Sequence, residues 1–172
     1  FQKRTPKELL TEEQYNTPHP VPENSYGNTY GEHREYLEFD QQQHAELKDY
    51  VEQRGAVYST SVWDITAAKE MVELQPQMLK VPSASNLDAE LIEYLLHHYS
   101  GQIHISLGMT TPSEIEKIVY RTIGFGREND VVIYACTSGY PVPFNRAYLY
   151  EITQLKTNYG RYVEVGYSGH HL

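Results

Sequence analysis

Residues 102–138, QIHISLGMTTPSEIEKIVYRTIGFGRENDVVIYACTS, contain two short apolar runs separated by one helical pattern. The runs 102–106 and 130–138 are rich in β-branched and aromatic residues, as strands are. Between them, Thr111 is a good N-cap, Pro112 suits the first helical position and Glu114 completes a capping box. A strand, a helix and a second strand in this order predict a βαβ unit with two parallel strands.

The same alternation recurs along most of the chain. Further strands are predicted at 56–62, 78–83 and 161–168, and further helices at 41–55, 64–74, 87–101 and 145–160. Consecutive strands begin roughly 22 to 32 residues apart, the length of one βαβ repeat. The pattern predicts an α/β fold with a parallel sheet, either doubly wound or closed into a (β/α)8 barrel.

Composition and charge exclude several classes of protein. The chain has 172 residues and a net charge of −9, with no basic run of the kind that nucleic-acid phosphates require. No apolar stretch reaches the roughly 20 residues of a membrane span, and no signal peptide is recognisable. The single cysteine, Cys136, excludes an internal disulfide. We therefore expect no nucleic acid or membrane partner and a cytoplasmic location, while a small anionic substrate remains compatible with local cations.

Residues 3–39 differ from the rest of the chain. They are rich in Pro, Asn, Tyr and Glu and show no helical or strand period. We predict a long loop without regular structure, and loops of this length inside compact domains are commonly functional or disordered.

Small polar residues follow each predicted strand. They are Ser59–Ser61, Ser83–Asn86, Ser106, Thr137–Ser138 and Ser168–His170. Any one such serine is more often a helix cap or a turn residue than a ligand-binding residue. In a barrel, however, all of them would lie on the carboxyl-terminal face, where active sites of this fold are built. Repeated hydroxyls at that face suit an oxyanion such as phosphate.

Lys80 is a charged residue inside an apolar strand, QMLKVPS. Its neighbours Leu79 and Val81 must point to the opposite face of the sheet. If Lys80 points into the barrel mouth, it could bind phosphate as a fixed cation or form a Schiff base. If it points outward, its stem would lie between helices with the ammonium in water.

His170 and Tyr140 are further candidates. A neutral imidazole is a common metal ligand, although a single histidine is not a metal site and His171 would point the other way. Tyr140 lies between Gly139 and Pro141 in a loop that prolines restrict, and it either faces the barrel mouth or packs under the loop.

Eight motifs follow one another along the chain: FQKR (1–4), NTYGEHREYLEF (28–39), YSTSVWD (58–64), LKVPSAS (79–85), ISLGM (105–109), TPSEIEKIV (111–119), CTSGYPVPF (136–144) and VGYSGHHL (165–172). In this order and spacing they resemble the sialic acid synthase family of N-acetylneuraminate, legionaminate and related nonulosonate synthases. The resemblance implies that residues 1–172 are part of a TIM barrel, from the end of its second strand to its seventh strand. Residues 3–39 would then connect strand two to helix two. The C-terminal antifreeze-like domain of the family would lie outside this sequence, and the full-length protein would be a homodimer.

The resemblance also implies an activity. Enzymes of this family condense phosphoenolpyruvate with an N-acetylated aldose such as N-acetylmannosamine, breaking the C–O bond of phosphoenolpyruvate. A divalent metal, commonly Mn²⁺ with Mg²⁺ or Co²⁺ as alternatives, activates the sugar aldehyde. Carried over by motif, the phosphoenolpyruvate ligands are Lys80, Ser83, Ser106, Ser138 and Ser168, and the sugar ligands are Gln2, Asn24 and Tyr140. His170 would be a metal ligand, and Lys80 and His170 would be the catalytic residues.

The sequence departs from the family pattern at several positions, and two alternative functions are therefore considered. Leu107, Ala135, Gly139 and Gly169 stand where relatives often carry Thr, His, Asn and Asp, which leaves the acceptor sugar undetermined. One alternative is a barrel aldolase that uses Lys80 as a Schiff-base nucleophile. A second is a catalytically incomplete barrel fragment, since an open set of strands would expose its edges. On that reading the chain alone is inactive.

Overall fold

In a computed structural model, which describes residues 1–171, six strands form one parallel sheet in the sequential order β1-β2-β3-β4-β5-β6. The strands are β1 (Gln2–Lys3), β2 (Ser59–Val62), β3 (Met78–Val81), β4 (Gln102–Ser106), β5 (Val131–Cys136) and β6 (Glu164–Ser168). A doubly wound sheet reverses its strand order at a switch point, whereas a (β/α)8 barrel does not. The observed order therefore selects the barrel and confirms the predicted strands.

Within residues 1–171, eight α-helices connect or precede these strands. They are α1 (Pro6–Leu9), α2 (Glu12–Asn16), α3 (Tyr30–Leu37), α4 (Gln41–Glu52), α5 (Ile65–Glu73), α6 (Ala89–His98), α7 (Pro112–Gly124) and α8 (Tyr150–Tyr159). The predicted capping box at the start of α7 is present, with the side chains of Thr111 and Glu114 each bonded to the other residue's backbone. Asp64 caps α5 by accepting from the Ala67 backbone N–H at 2.7 Å. These caps fix where each helix begins after its strand.

The prediction of a loop without regular structure over 3–39 is wrong, because α1, α2 and α3 lie inside it. These helices have four, five and eight residues, too short to show a helical period in the sequence. Local caps define them instead: Thr11 and Gln14 form a capping box, and Thr29 accepts from the Glu32 backbone N–H. The segment is thus a folded connection that covers one side of the sheet's carboxyl-terminal edge.

The core lies between the sheet and the outer helices. Alternate strand residues point toward the helices and are fully buried, among them Leu79, Ile103, Ile105 and Ile133. Helix α6 contributes Leu91, Ile92 and Leu95 to the same core, since they lie on one face of the helix. The other face of each strand points to the barrel interior, and this face carries the polar residues of the site.

Candidate active site

The inward face of the sheet aligns polar side chains across adjacent strands. Parallel pairing sets Gln2 opposite Ser61, Ser61 opposite Lys80, and Lys80 opposite His104. Residues paired in this way point to the same side of a parallel sheet. Lys80 therefore faces the barrel interior, and the alternative of an outward-pointing lysine is excluded. Leu79 and Val81 point to the helices and are fully buried, as predicted.

A cavity of about 400 Å³ opens above these residues, at the carboxyl-terminal ends of the strands. We call it the main cavity. It is lined by Gln2, Ser61, Trp63, Lys80, Pro82, Ser83, Ala84, Ser106, Met109, Cys136, Ser138, Tyr140 and His170. Seven of the nine predicted site residues are in this set, so positions that are distant in sequence meet in one place. This face is where barrel enzymes carry their active sites.

Ser168 and Asn24 are the two predicted residues that do not line the main cavity. Ser168 ends β6 next to it, with its Oγ 3.5 Å from His170 Nε2. Asn24 lies in an exposed turn at Pro22–Asn24, within the 3–39 connection. The geometry places Ser168 beside the site and gives no support to Asn24 as a sugar ligand.

Serine hydroxyls converge on the main cavity from three connections. The Oγ atoms of Ser106 and Ser138 are buried and have no hydrogen-bond partner among the described residues. Ser83 Oγ accepts from the Gly108 backbone N–H at 3.2 Å and lies 3.6 Å from Cys136 Sγ. A buried hydroxyl without a partner is costly unless a ligand or water satisfies it. Two such hydroxyls in one cavity indicate that water or a polar ligand fills it.

Gly108 makes this arrangement possible. A side chain at this position would overlap both Ser83 Oγ and Ser138 Oγ, so only glycine allows the two serines to approach the backbone here. The neighbouring backbone is fixed by the buried Asn86 amide, which donates to the carbonyls of Ser106 at 2.8 Å and Gly108 at 3.0 Å. The connections after β3 and β4 are thereby held together before any ligand binds.

The charge of the main cavity is opposite to that of the whole chain. Lys80 is the single lysine or arginine among the described lining residues, and the same lining holds no Asp or Glu. A chain with a net charge of −9 thus presents a local cation surrounded by hydroxyls. Such a site favours an anion, because charge-assisted hydrogen bonds are strong where little water competes.

His170 and Tyr140 close one side of the main cavity. Their rings lie 4.5 Å apart between centroids, and the His170 backbone carbonyl accepts from the Val142 N–H at 2.9 Å. This bond ties the loop after β5 to the end of β6. Partial burial and the nearby Lys80 charge lower the pKa of His170, which favours the neutral imidazole with a lone pair available. Tyr140 is 75% exposed and lines the mouth, so the alternative that it packs under its loop is excluded.

The described residues do not form a complete metal site. Within 1–171, no three His, Cys, Asp or Glu side chains lie close enough to hold one metal ion. His170 can supply one nitrogen ligand, while stable binding needs several. The described residues therefore do not by themselves form a three-ligand metal site around His170.

A second polar layer, formed by Gln102, His104 and Tyr134, lies deeper in the barrel interior and was not predicted from the sequence. His104 Nδ1 is 2.6 Å from the Tyr134 hydroxyl, and His104 Nε2 is 2.8 Å from Gln102 Oε1. Because an amide oxygen only accepts, Nε2 carries the proton and the tyrosine hydroxyl donates to Nδ1. Burial and then the Lys80 charge lower the pKa of His104. In the sequence, these residues alternate with apolar residues along β4 and β5. That alternation could have predicted that they point into the barrel.

Trp63, Cys136 and Met109 also line the main cavity without having been predicted. Trp63 directly follows β2, and Cys136 ends β5 on the inward face. Both positions follow from strand alternation once the inward direction of Lys80 is known. Met109 follows Gly108 with a φ of +64°, a local turn that the sequence does not indicate.

Comparison with known proteins agrees with this architecture. N-acetylneuraminate-9-phosphate synthase of Drosophila melanogaster is 30% identical over 152 residues, which cover 88% of this chain and 40% of that protein. N,N'-diacetyllegionaminic acid synthase of Campylobacter jejuni is 28% identical over 136 residues, covering 78% of this chain and 40% of that protein. The chain thus spans about 40% of the length of these curated relatives.

Solved structures share the fold. The N-acetylneuraminic acid (sialic acid) synthetase of Leptospira borgpetersenii, determined in complex with citrate, superposes with a TM-score of 0.80 at 21% identity. The match covers 99% of this chain and 53% of that structure. A family model described as the NeuB family matches residues 1–172. The chain therefore belongs to the NeuB family.

Proposed function

We propose that the protein containing this chain is a nonulosonate synthase that condenses phosphoenolpyruvate with an N-acetylated aldose. The main cavity carries this proposal: one lysine and four serines, with no carboxylate, line it at the carboxyl-terminal ends of parallel strands. Two of those hydroxyls have no partner among residues 1–171. Phosphoenolpyruvate, with a phosphate and a carboxylate, supplies the acceptors that such a site requires.

Each side chain has a role in this proposal. Lys80 neutralises part of the negative charge of phosphoenolpyruvate, and the hydroxyls of Ser83, Ser106 and Ser138 donate to its oxygens. Charge on the departing phosphate grows as the C–O bond breaks, and donors fixed before the reaction stabilise that charge. Ser168, the last residue of β6, is proposed to assist from the edge of the cavity.

The acceptor sugar is proposed to bind in the same main cavity. Gln2 and Tyr140 line this cavity and carry an amide and a phenol suited to sugar hydroxyls. Held next to phosphoenolpyruvate, the aldehyde carbon is within reach of attack by C3 of the enol phosphate, and the aldehyde oxygen takes up a proton. Water then adds at C2 of the resulting oxocarbenium and loses a proton, and the C2–O bond breaks so that inorganic phosphate leaves.

We further propose that His170 is one ligand of a divalent metal, Mn²⁺ in first place and Mg²⁺ or Co²⁺ otherwise. When bound, such an ion would polarise the sugar aldehyde. The neutral state of His170, favoured by its lowered pKa, is the state that ligates metals.

A cytoplasmic location and a homodimeric full-length protein complete the proposal. No helix within residues 1–171 is both long and apolar enough to cross a bilayer. The dimer is tested by sedimentation of the full-length gene product, for which a monomer would be the contrary result.

Phosphate release tests the activity. The full-length gene product is incubated with phosphoenolpyruvate, an N-acetylated hexose and Mn²⁺, and we expect inorganic phosphate and a nonulosonate to appear in equal amounts. No turnover with N-acetylmannosamine, its 6-phosphate or related N-acetylated hexoses would refute the proposal. Borohydride treatment in the presence of pyruvate tests the aldolase alternative, which requires covalent labelling of Lys80.

A further inference from the structure

Cys136 is the only cysteine of the 172-residue sequence, and the proposed reaction gives its thiol no role. The residue ends β5 and is buried, with 6% of its surface exposed. It also lines the main cavity. A molecule small enough to enter that cavity can therefore reach the Cys136 side chain.

The sulfur of Cys136 lies next to serine hydroxyls. Ser83 Oγ is 3.6 Å from Cys136 Sγ, and it accepts a hydrogen bond from the Gly108 backbone N–H at 3.2 Å. Since the N–H of Gly108 takes a lone pair of this hydroxyl, the hydroxyl proton is free to point at the sulfur. A side chain at Gly108 would overlap both Ser83 Oγ and Ser138 Oγ, so these two hydroxyls lie against the same stretch of backbone.

Two hydroxyls of the main cavity have donors without an acceptor. The Oγ atoms of Ser106 and Ser138 are buried and have no hydrogen-bond partner among residues 1–171. Ser106 is 2% exposed and lines the same cavity as Cys136. Buried hydroxyls of this kind need an oxygen acceptor in the space that they line. An oxygen atom bonded to Cys136 Sγ would be such an acceptor, held covalently beside Ser83.

The charge of the main cavity favours a negatively charged oxide of this sulfur. Lys80 lines the cavity, and no Asp or Glu is among its described lining residues. A cysteine sulfenate places negative charge on its single oxygen atom. Hydrogen bonds from hydroxyl donors to a charged oxygen are stronger than those to a neutral one, especially where little water competes. The cavity that suits an anionic substrate therefore also suits a sulfenate at Cys136.

We propose that Cys136 is a modification site at which a hydroperoxide converts the thiol to a sulfenate, and that the sulfenate oxygen blocks the main cavity. With hydrogen peroxide, the thiol gives its proton to solvent and the sulfur attacks one peroxide oxygen. An S–O bond forms, the O–O bond breaks, and the departing hydroxide takes up a proton to leave as water. Sulfur loses two electrons and the peroxide gains them. The sulfenic acid then releases its proton to solvent and becomes the sulfenate.

The modification controls the site of the proposed function, and the inference rests on that function. The sulfenate oxygen and phosphoenolpyruvate compete for the hydroxyls of Ser83, Ser106 and Ser138, so either one excludes the other. Within the 172 residues, no second cysteine is present to convert the sulfenic acid to a disulfide. An external thiol reverses the step: it attacks the sulfenic sulfur, water leaves, and a second thiol releases Cys136 from the mixed disulfide. Activity is then regained.

Capture of the sulfenic acid tests the site directly. The full-length gene product is treated with hydrogen peroxide and then unfolded in dimedone, which reacts with sulfenic acids, and mass spectrometry quantifies the peptide that contains Cys136. We expect this peptide to be labelled in step with the loss of activity. Phosphoenolpyruvate or inorganic phosphate at about ten times its dissociation constant should slow labelling about 10-fold, because only the ligand-free fraction reacts. Chloride at matched ionic strength is the control and should not protect.

Two variants distinguish Cys136 from the neighbouring methionine. Met109 is 70% exposed and lines the same cavity, and peroxide oxidises methionine to a sulfoxide, whose reduction requires a dedicated enzyme. Loss of activity that dithiothreitol reverses therefore reports the cysteine. Relative to its own untreated activity, Cys136→Ser should be inactivated at least about 10-fold more slowly, because serine has no oxidisable sulfur. Met109→Leu should keep the reversible inactivation of the parent protein.

The outcomes separate this proposal from the proposed function. Absence of the label at Cys136, full activity of the labelled protein, or reversible inactivation that persists in Cys136→Ser would each overturn the modification site and leave the synthase proposal intact. If Cys136→Ser does not fold, dimedone capture in the parent protein decides. If no substrate pair is turned over, the synthase proposal fails, and labelling with and without inorganic phosphate still decides. Labelling that phosphate slows would support the site, and labelling that phosphate leaves unchanged would refute it.

Discussion

The two faces of the sheet differ although the same strands build both. On β3, Leu79 and Val81 point to the helices and are fully buried, while Lys80 between them points into the barrel. On β4, Ile103 and Ile105 belong to the core, and His104 and Ser106 face the interior. The outward face excludes water with close-packed aliphatic side chains, and the inward face presents charge and hydroxyls.

Because of this alternation, one residue of a strand packs in the core and stabilises the fold, and the next residue faces the cavity. A shift of the strand register by one position would place Lys80 in the core and Leu79 in the cavity. Such a shift would destabilise the core and remove the cation from the cavity. Substitutions at neighbouring positions should therefore have different consequences. An outward change should reduce the free energy of unfolding, whereas an inward change should reduce activity and leave stability nearly unchanged.

Lys80→Met should have the largest effect. It removes the one lysine or arginine of the described main-cavity lining while keeping most of the side-chain volume. We expect kcat/KM for phosphoenolpyruvate to fall roughly 1,000-fold, because several oxygens of one anion lose their charged partner. Steady-state kinetics on the full-length gene product measures this. Lys117→Met, on the exposed side of α7, is the control, and equal losses in both variants would contradict the separation of faces.

Leu79→Ala tests the outward face at the adjacent position. Leu79 is fully buried between the sheet and the helices, so truncation leaves a cavity there. We expect the free energy of unfolding to fall by about 3 kcal/mol, within the usual range for buried leucines. Urea unfolding measures this loss, and kcat of the folded fraction should stay within about threefold of the parent. A large loss of kcat with unchanged stability would show that the two faces are coupled.

His44 is a polar exception on the outward side. It lies in α4, is fully buried, and its Nδ1 is 2.5 Å from the Tyr58 hydroxyl. Burial, followed by the charge of Lys3, lowers its pKa to about 4, so the folded protein holds it neutral. The unfolded chain takes up a proton near pH 6.5, and the folded chain does so only near pH 4.

Stability should therefore be lost as the pH falls from about 6.5 to about 4, and not above that range. The full contribution of His44 across this window is about 3 kcal/mol, from 1.36 kcal/mol per pH unit. Urea unfolding at several pH values measures the slope, and His44→Gln should flatten it. His97→Gln, an exposed histidine at the end of α6, is the control. A slope that persists in His44→Gln would assign the acid sensitivity to other groups.

Sequence patterns predicted the periodic part of the molecule and the composition of the main cavity. The helix α7, its capping box and the alternation around Lys80 are local features, because neighbouring residues determine them. The convergence of Ser83, Ser106 and Ser138 was predictable once a barrel was assumed, since all of them follow strands that end at one face.

The 3–39 connection could not be predicted in the same way. Its helices are short, and tertiary contacts such as the Arg4–Glu38 ion pair and the stacked rings of Tyr26 and Tyr36 hold it in place. A second cavity forms where this connection meets Trp63 and Ala84, and no local pattern marks that meeting. The sugar-binding role assigned to Asn24 has no geometric support for the same reason. The location of a residue in such a connection depends on tertiary packing.

Tyr134→Phe should have the smallest effect and probes the layer beneath the main cavity. The substitution removes the hydroxyl that donates to His104 Nδ1 and leaves the Nε2 bond to Gln102 in place. We expect a loss of about 1 kcal/mol in the free energy of unfolding, the usual worth of one hydrogen bond, and a change in kcat below threefold. Nitrogen-15 chemical shifts of the imidazole should show the Nε2–H tautomer in the parent protein. Tyr120→Phe, on an exposed part of α7, is the control. A tenfold loss of kcat with unchanged stability would mean that His104 positions Lys80, its neighbour across the strands, and that the inward face acts as one unit from this layer to the main cavity.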